Sequence, residues 1–135
     1  MTSPGSEIGP PKVMVVDDDR TMVTLLRTLL ELDGYQVVQP KNAASVLESI
    51  AAERPDLVLM DVFLKGHDGI DLVRGLRKLP ELAQTPVVMT SGMDVSEQSL
   101  AAGANSFMLK PYDPEVLLQT IRSQLGQTGG TQRET

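Results

Sequence analysis

The chain alternates five times between a short apolar run and a segment with helical periodicity, and this repeat constrains its fold most. The apolar runs cover residues 13–16, 35–38, 57–60, 87–89 and 107–109. Most of them lack apolar–polar alternation, which indicates strands buried on both faces, as in a parallel sheet. Five strand–helix units predict a doubly wound α/β domain with a five-stranded parallel sheet, five helices and right-handed crossovers.

Each helical segment begins near a residue suited to capping a helix: Asp19, Asn42, Asp68, Asp94 and Asp113. Glu97 follows Asp94 by three positions, which predicts a capping box for the fourth helix. The apolar stripe predicted for the fifth helix consists of Val116, Leu117, Ile121 and Leu125. Ser, Pro, Gly and Thr dominate both ends, so we expect a domain over 11–126 with flexible arms at 1–10 and 127–135.

The composition excludes several functional classes. The chain has no cysteine, which removes disulfides, thiol catalysis and thiolate zinc sites. His67 is the only histidine, so we expect a solvated loop residue rather than part of a histidine metal site. Twelve Lys and Arg against eighteen Asp and Glu give a net charge of −6, which disfavours nucleic-acid binding. We expect a cytoplasmic protein, because no apolar stretch reaches membrane length and no secretory signal begins the chain.

Chemically useful side chains follow the predicted strands. Asp17 and Asp18 follow the first strand, Asp61 the third, Ser91 the fourth and Lys110 the fifth. Because the carboxyl ends of parallel strands meet at one edge of the sheet, we expect these side chains to converge there. Three close carboxylates repel one another unless a cation lies among them, and Mg²⁺ prefers such oxygen ligands. A carboxylate, a hard cation, a lysine and a hydroxyl together suit phosphoryl transfer.

The same residues carry a resemblance to a known family. The motifs are Val15-Val16-Asp17-Asp18, Leu59-Met60-Asp61, Asp68-Gly69, Met89-Thr90-Ser91-Gly92, Gly103-Ala104 and Lys110-Pro111. In this order they resemble the receiver domain of bacterial two-component response regulators, in its single-domain form. The resemblance implies a flavodoxin-like fold and a regulatory, phosphorelay role rather than an enzyme. It also implies that Asp61 accepts a phosphoryl group from a histidine kinase or phosphotransfer protein.

The resemblance assigns a role to each site residue. It implies that Mg²⁺ is held by Asp17, Asp18, Asp61 and the backbone carbonyl of Phe63. It implies that Lys110 pairs with the acyl phosphate, that Ser91 hydrogen-bonds it, and that Phe107 is the aromatic switch residue. Phe63 and Met93 match the positions that flank the path of the hydrolytic water, and both are apolar, so we expect slow dephosphorylation. The bond between Lys110 and Pro111 is expected to be cis.

Two departures from the family pattern concern the loops. Leu64 and Lys65 stand where the family usually has Met-Pro, which affects the conformation of the loop after Asp61. The interval from Ser91 to Lys110 is shorter than the usual spacing in the family. The residues missing by comparison fall between 93 and 102, in the fourth loop and helix. That helix belongs to the face that most receivers use for output or dimerisation. No DNA-binding helix follows residue 126, so we expect output through a protein target, without DNA or membrane contact. Whether the chain forms a homodimer stays open.

Two alternatives remain open from the residues alone. The run from Asp17 to Thr21 also fits the Asp-x-Asp-x-Thr motif of haloacid dehalogenase-like phosphatases, with Asp17 as nucleophile and Asp19 as general acid. That reading leaves Asp61 unexplained and lacks a later acidic pair. The second alternative is a degenerate receiver that serves only as a binding module.

Overall fold

The computed structural model of the protein describes residues 9–126. Residues 1–8 and 127–135 lie outside the described residues, and with them most of the predicted arm and the whole predicted tail. Five parallel strands form one sheet in the order β2-β1-β3-β4-β5. They are β1 (Lys12–Val16), β2 (Gln36–Val38), β3 (Leu57–Asp61), β4 (Val87–Ser91) and β5 (Ser106–Leu109). The predicted doubly wound fold is therefore confirmed.

Five α-helices connect and follow the strands. They are α1 (Arg20–Leu32), α2 (Val46–Glu53), α3 (Gly69–Arg77), α4 (Ser96–Ala102) and α5 (Pro114–Gln124). Short 3₁₀ turns at Ala43–Ser45 and Pro80–Leu82 were not predicted. None of the helices between residues 9 and 126 has the length and apolar character that crossing a membrane requires.

The strands are buried on both faces, as their unbroken apolar runs predicted. Val13 and Val15 of β1 belong to the core packed under α1 and α5, with Leu26 and Ile121. Met14, next along the same strand, belongs to the opposite core, under α2 and α3. Because successive strand residues point to opposite faces, a single apolar run supplies both layers.

Two details of the predicted helices are wrong. Helix α4 has Val95 as its N-cap and no side-chain cap, because the Asp94 carboxylate accepts from the Ser96 amide and hydroxyl instead. The predicted capping box is therefore absent. On α5, Val116 is 47% exposed, while Leu118 is buried. Residues 117, 118 and 121 form the buried face, and Val116 lies about 100° away from Leu117 around the helix.

Arg77 ties together the amino-terminal edge of the sheet, opposite the candidate site. Its guanidinium donates to the carbonyls of Gly103 (3.0 Å), Ala83 (3.1 Å) and Thr85 (2.7 Å). It also donates to Asn105 Oδ1 at 2.9 Å, an oxygen that accepts from the Val87 amide as well. Burial lowers the pKa of Arg77. One side chain thus joins the end of α3, the turn before β4 and the segment between α4 and β5.

We expect Arg77→Met to lower the free energy of unfolding by about 2–3 kcal/mol, because several partly buried carbonyls lose a charged donor. Arg74→Met on the same helix is the matched control, since its ion pair with Asp71 is exposed and is worth less than about 0.5 kcal/mol. Urea unfolding of the two variants measures the difference. Equal midpoints would contradict the role given to Arg77.

Candidate functional site

Four adjacent strands, β1, β3, β4 and β5, bring the candidate residues to one edge of the sheet. Asp61 is the last residue of β3 and lies opposite Thr90 in β4. Ser91 ends β4, and Asp17 follows β1 on the other side of β3. Lys110 follows β5 and joins the edge through its amide, which donates to the Ser91 carbonyl at 2.7 Å. The predicted placement of these residues at the carboxyl ends of the strands is found in the fold.

The Lys110 ammonium bridges two of the carboxylates. Its Nζ lies 3.2 Å from Asp17 Oδ2 and 3.2 Å from Asp61 Oδ2. The side chains of Asp17 and Asp61 are only 6% and 15% exposed, so solvent screens this contact weakly. The two acids can lie side by side because the lysine supplies the cation between them.

The remaining carboxylate oxygens are held by backbone amides. Asp17 Oδ1 accepts from the Asp19 amide at 2.9 Å, and Asp61 Oδ1 accepts from the Phe63 amide at 3.3 Å. Asp18 Oδ2 accepts from the Lys65 amide in the loop after β3. Two of the expected carboxylates therefore meet at Lys110, while Asp18 bonds to the loop.

The expected set of three carboxylates is not arranged as a metal cluster. Within residues 9–126 no group of three or more His, Cys, Asp or Glu side chains is positioned to hold a metal ion. The physical reason is the arrangement just described, since Lys110 lies between Asp17 and Asp61 and a loop amide holds Asp18. The donor chemistry still suits Mg²⁺, because carboxylate oxygens and a nearby backbone carbonyl are the ligands that this ion takes.

The loop after β3 is built around a glycine. Phe63–Leu64 and His67–Asp68 pair as a two-residue antiparallel ladder that was not predicted. A Cβ on Gly69 would lie 2.6 Å from the Asp61 carbonyl oxygen, so a side chain there would displace the end of β3. The Asp68-Gly69 motif thus has a structural reason, because Asp68 caps α3 and Gly69 allows the close approach. His67 is exposed, as expected.

Ser91 is fully buried, and its Oγ accepts from the Met93 amide at 3.0 Å. Phe107 is half-buried and packs against the core under α2 and α3.

Phe63 and Met93, at 54% and 63% exposed, lie two residues after Asp61 and Ser91. The bond between Lys110 and Pro111 is cis, as expected.

Burial shifts the ionisation of the bridged groups. Desolvation raises the pKa of Asp61 above its ordinary value, although the hydrogen bond and charge of Lys110 act against this. For Lys110, burial acts to lower the pKa, but the charges of Asp17 and Asp61 outweigh it and raise the pKa. The lysine is therefore firmly cationic, while Asp61 carries its charge at an energetic cost.

Sequence reasoning missed one residue beside the site. The Tyr112 hydroxyl is buried and is one of two such side-chain atoms without a hydrogen-bond partner in residues 9–126. Desolvation raises the pKa of Tyr112, and the charges of Lys110, Asp17 and Asp61 also act on it. Its position two residues after Lys110 was the available signal.

The chain belongs to the response regulator receiver domain family, whose family model matches residues 13–122. It is 36% identical to the response regulator MprA of Mycolicibacterium vanbaalenii, over 88% of this chain and 52% of MprA. It is 32% identical to the protein PilH of Pseudomonas aeruginosa, over 84% of this chain and 97% of PilH. The BeF3-activated receiver domain of Klebsiella pneumoniae RstA superposes with a TM-score of 0.78 at 37% identity, covering 84% and 97% of the two chains.

Family membership confirms the resemblance inferred from the motifs and gives the chain a regulatory role consistent with phosphorelay signalling. The chain spans about half the length of MprA but nearly all of PilH. The receiver family match disfavours the phosphatase alternative, and Asp19, its proposed general acid, caps α1 by accepting from the Thr21 and Met22 amides.

We expect Asp61→Asn to be more stable than the unaltered protein at pH 7 in buffer containing a metal chelator. A raised pKa means that the folded state favours the protonated carboxyl, so its stability falls as pH rises from the ordinary pKa through the raised one. The amide removes this cost and can still accept from Lys110.

Thermal unfolding between pH 3 and pH 8 tests this, with the exposed Asp71→Asn as the control. The advantage of Asp61→Asn is expected to shrink as pH falls below the ordinary carboxyl range. An advantage that stayed constant with pH would show that ionisation of Asp61 is not its cause.

Proposed function

We propose that this receiver domain accepts a phosphoryl group on Asp61 and thereby changes a surface that contacts a protein target. The observation that carries the proposal is the Lys110 ammonium, 3.2 Å from both Asp17 and Asp61 at the end of the central strand. The donor is a histidine kinase or a phosphotransfer protein, as membership of the receiver family supports.

In the proposed reaction an Asp61 carboxylate oxygen attacks the phosphorus of a phosphohistidine. A new P–O bond forms, the P–N bond breaks, and the imidazole nitrogen keeps the electron pair. Lys110 is already placed to pair with the phosphoryl oxygens, and it neutralises part of the negative charge that arrives. Asp61 is held for this role, since one oxygen accepts from the Phe63 amide and the other from Lys110.

We infer that Mg²⁺ is the cofactor, held by the carboxylates of Asp17, Asp18 and Asp61 and by the Phe63 carbonyl. When bound, it supplies positive charge that stabilises the phosphoryl oxygens during transfer. Asp17 and Asp18 then serve as metal ligands rather than as phosphoacceptors. The related RstA receiver domain is BeF3-activated, which supports a small anion as the activating group here too.

The proposed switch begins at the two groups that can bind the new phosphate. Phosphorylation adds about −1.5 to −2 charges, so Lys110 and the Ser91 hydroxyl gain a stronger partner than Asp17 and the Met93 amide. Phe107 lies on β5, directly opposite Met89 of β4. We expect the Phe107 side chain to change position when the ends of these two strands move. An exposed apolar patch on α4, β5 and α5 consists of Leu100, Leu109 and Val116. This patch is the proposed contact surface for a protein target or a second copy.

We expect Asp61→Asn to abolish covalent labelling by acetyl phosphate in the presence of Mg²⁺, because the amide is not a nucleophile. Asp19→Asn is the matched control, since Asn also caps a helix and the variant keeps Asp61. Intact mass of both proteins, before and after treatment, measures the gain of one phosphoryl group.

The labelling experiment also separates the alternatives. Labelling that persisted in Asp61→Asn but disappeared in Asp17→Asn would support Asp17 as the nucleophile. A protein that took no label in any form would support a degenerate receiver that only binds.

We expect the phosphorylated form to be long-lived, because Phe63 and Met93 flank the site with apolar side chains that cannot orient a water molecule. Phe63→Asn and Met93→Glu are each expected to speed the loss of phosphate several-fold, and the double variant most. The decay of the phosphorylated protein in Mg²⁺ buffer measures the rates. Leu79→Asn, an exposed apolar residue distant in sequence, is the control.

A further inference from the structure

A cavity of about 730 Å³ adjoins Asp17 and Asp18 on the side of the sheet away from β4. Its walls come from the start of α1, from residues 39–44 after β2, and from the loop after β3. Asp17 and Asp18 lie in its wall, but Asp61, Ser91 and Lys110 do not. Its volume falls within the range of pockets that bind small organic molecules, roughly 300–1,000 Å³.

Free positive charge is concentrated at this cavity. Among the Lys and Arg side chains of residues 9–126, four make neither a hydrogen bond nor an ion pair: Arg20, Lys41, Lys65 and Lys78. Three of these, Arg20, Lys41 and Lys65, line the cavity. In a chain with a net charge of −6, cationic side chains are expected to pair with carboxylates, so three unpaired ones at a single cavity are unusual.

The carboxylates in the same wall are already occupied. Asp17 accepts from Lys110 and from the Asp19 amide, and Asp18 accepts from the Lys65 amide. Neither acid forms an ion pair with a cation of the cavity. The three cations are therefore available to an anion that comes from outside the chain.

The rest of the lining mixes apolar residues with uncharged polar ones. Val23, Leu64, Pro40, Ala43 and Ala44 contribute apolar surface, and Thr24 and Gln39 add polar groups without charge. The apolar part of the lining suits an organic body, whereas three cations that line one cavity suit a multiply charged group such as a phosphate.

We propose that this cavity binds a small organic phosphate, with its anionic end held by Arg20, Lys41 and Lys65. The volume of the cavity favours a small molecule, because it falls in the range of pockets that bind such ligands. The proposal does not depend on phosphorylation of Asp61, although Asp17 and Asp18, the proposed Mg²⁺ ligands, lie in the cavity wall. Because Asp17 lies in the wall of the cavity and shares Lys110 with Asp61, the occupant would lie beside the edge of the sheet that carries Asp61.

Phenyl phosphate is a suitable probe, since it joins an apolar ring to a dianion and is a poor phosphoryl donor. The titration follows amide shifts in ¹⁵N NMR spectra at low salt, with a chelator to remove metal ions. Phenol and inorganic phosphate, added separately, test the ring and the anion alone. The Asp61→Asn protein is titrated in parallel, so that labelling of Asp61 cannot produce the shifts.

We expect saturable shifts in residues 39–44 and 64–67, with phenyl phosphate binding tighter than either fragment in both proteins. Arg20→Gln, Lys41→Gln and Lys65→Gln are each expected to weaken binding about threefold to fivefold, because each removes one exposed charge. Lys78→Gln is the matched control, since Lys78 is exposed and unpaired but lies outside the cavity. It should leave the affinity unchanged.

Three results would overturn the proposal. They are shifts that do not saturate or that fall elsewhere, inorganic phosphate binding as tightly as phenyl phosphate, and Lys78→Gln weakening binding as much as the cavity variants. Binding retained in Asp61→Asn would support the cavity even if phosphorylation of Asp61 failed.

Discussion

The ion triad of Asp17, Lys110 and Asp61 is the interaction around which the carboxyl-terminal edge of the sheet is organised. Three strands, β1, β3 and β5, each deliver one member, so the contact depends on the strand order and not on any local segment. Two partly buried carboxylates would repel each other without the lysine. The lysine in turn keeps its charge despite burial, because both acids raise its pKa.

Backbone amides extend this arrangement into the loops. The loop after β3 donates one amide to Asp61 and another to Asp18, so its conformation depends on the acids that it surrounds. Lys65 stands where a proline is usual in the family, and a proline would have no amide to donate. The lysine at this position therefore adds a contact between the loop and Asp18.

The sequence predicted the fold and the positions of the site residues well, because both follow from periodicity and from the rule that parallel strands end at one edge. The predictions failed for three details: the cap of α4, the buried face of α5 and the hydrogen-bond partner of Asp18. Asp94 had an amide three residues ahead to cap, but the Ser96 hydroxyl was nearer. Val116 and Leu118 are equally apolar, and only the direction from which α5 meets the sheet distinguishes them. The orientation of the Asp18 side chain could not be predicted either, because its partner is the backbone amide of Lys65 and every non-proline residue carries such an amide.

The two ends of helix α4 are held differently. Its carboxyl end is fixed, because Gly103 accepts from Arg77, which also holds the strands beside it. Its amino end has no side-chain cap, and it begins five residues after Ser91, whose hydroxyl holds the Met93 amide. Ser99, in the middle of the helix, is buried with its hydroxyl unpartnered in the described chain. If Ser91 binds the phosphate as proposed, we therefore expect the change to reach α4 at its uncapped amino end, while the contacts of Arg77 hold its carboxyl end.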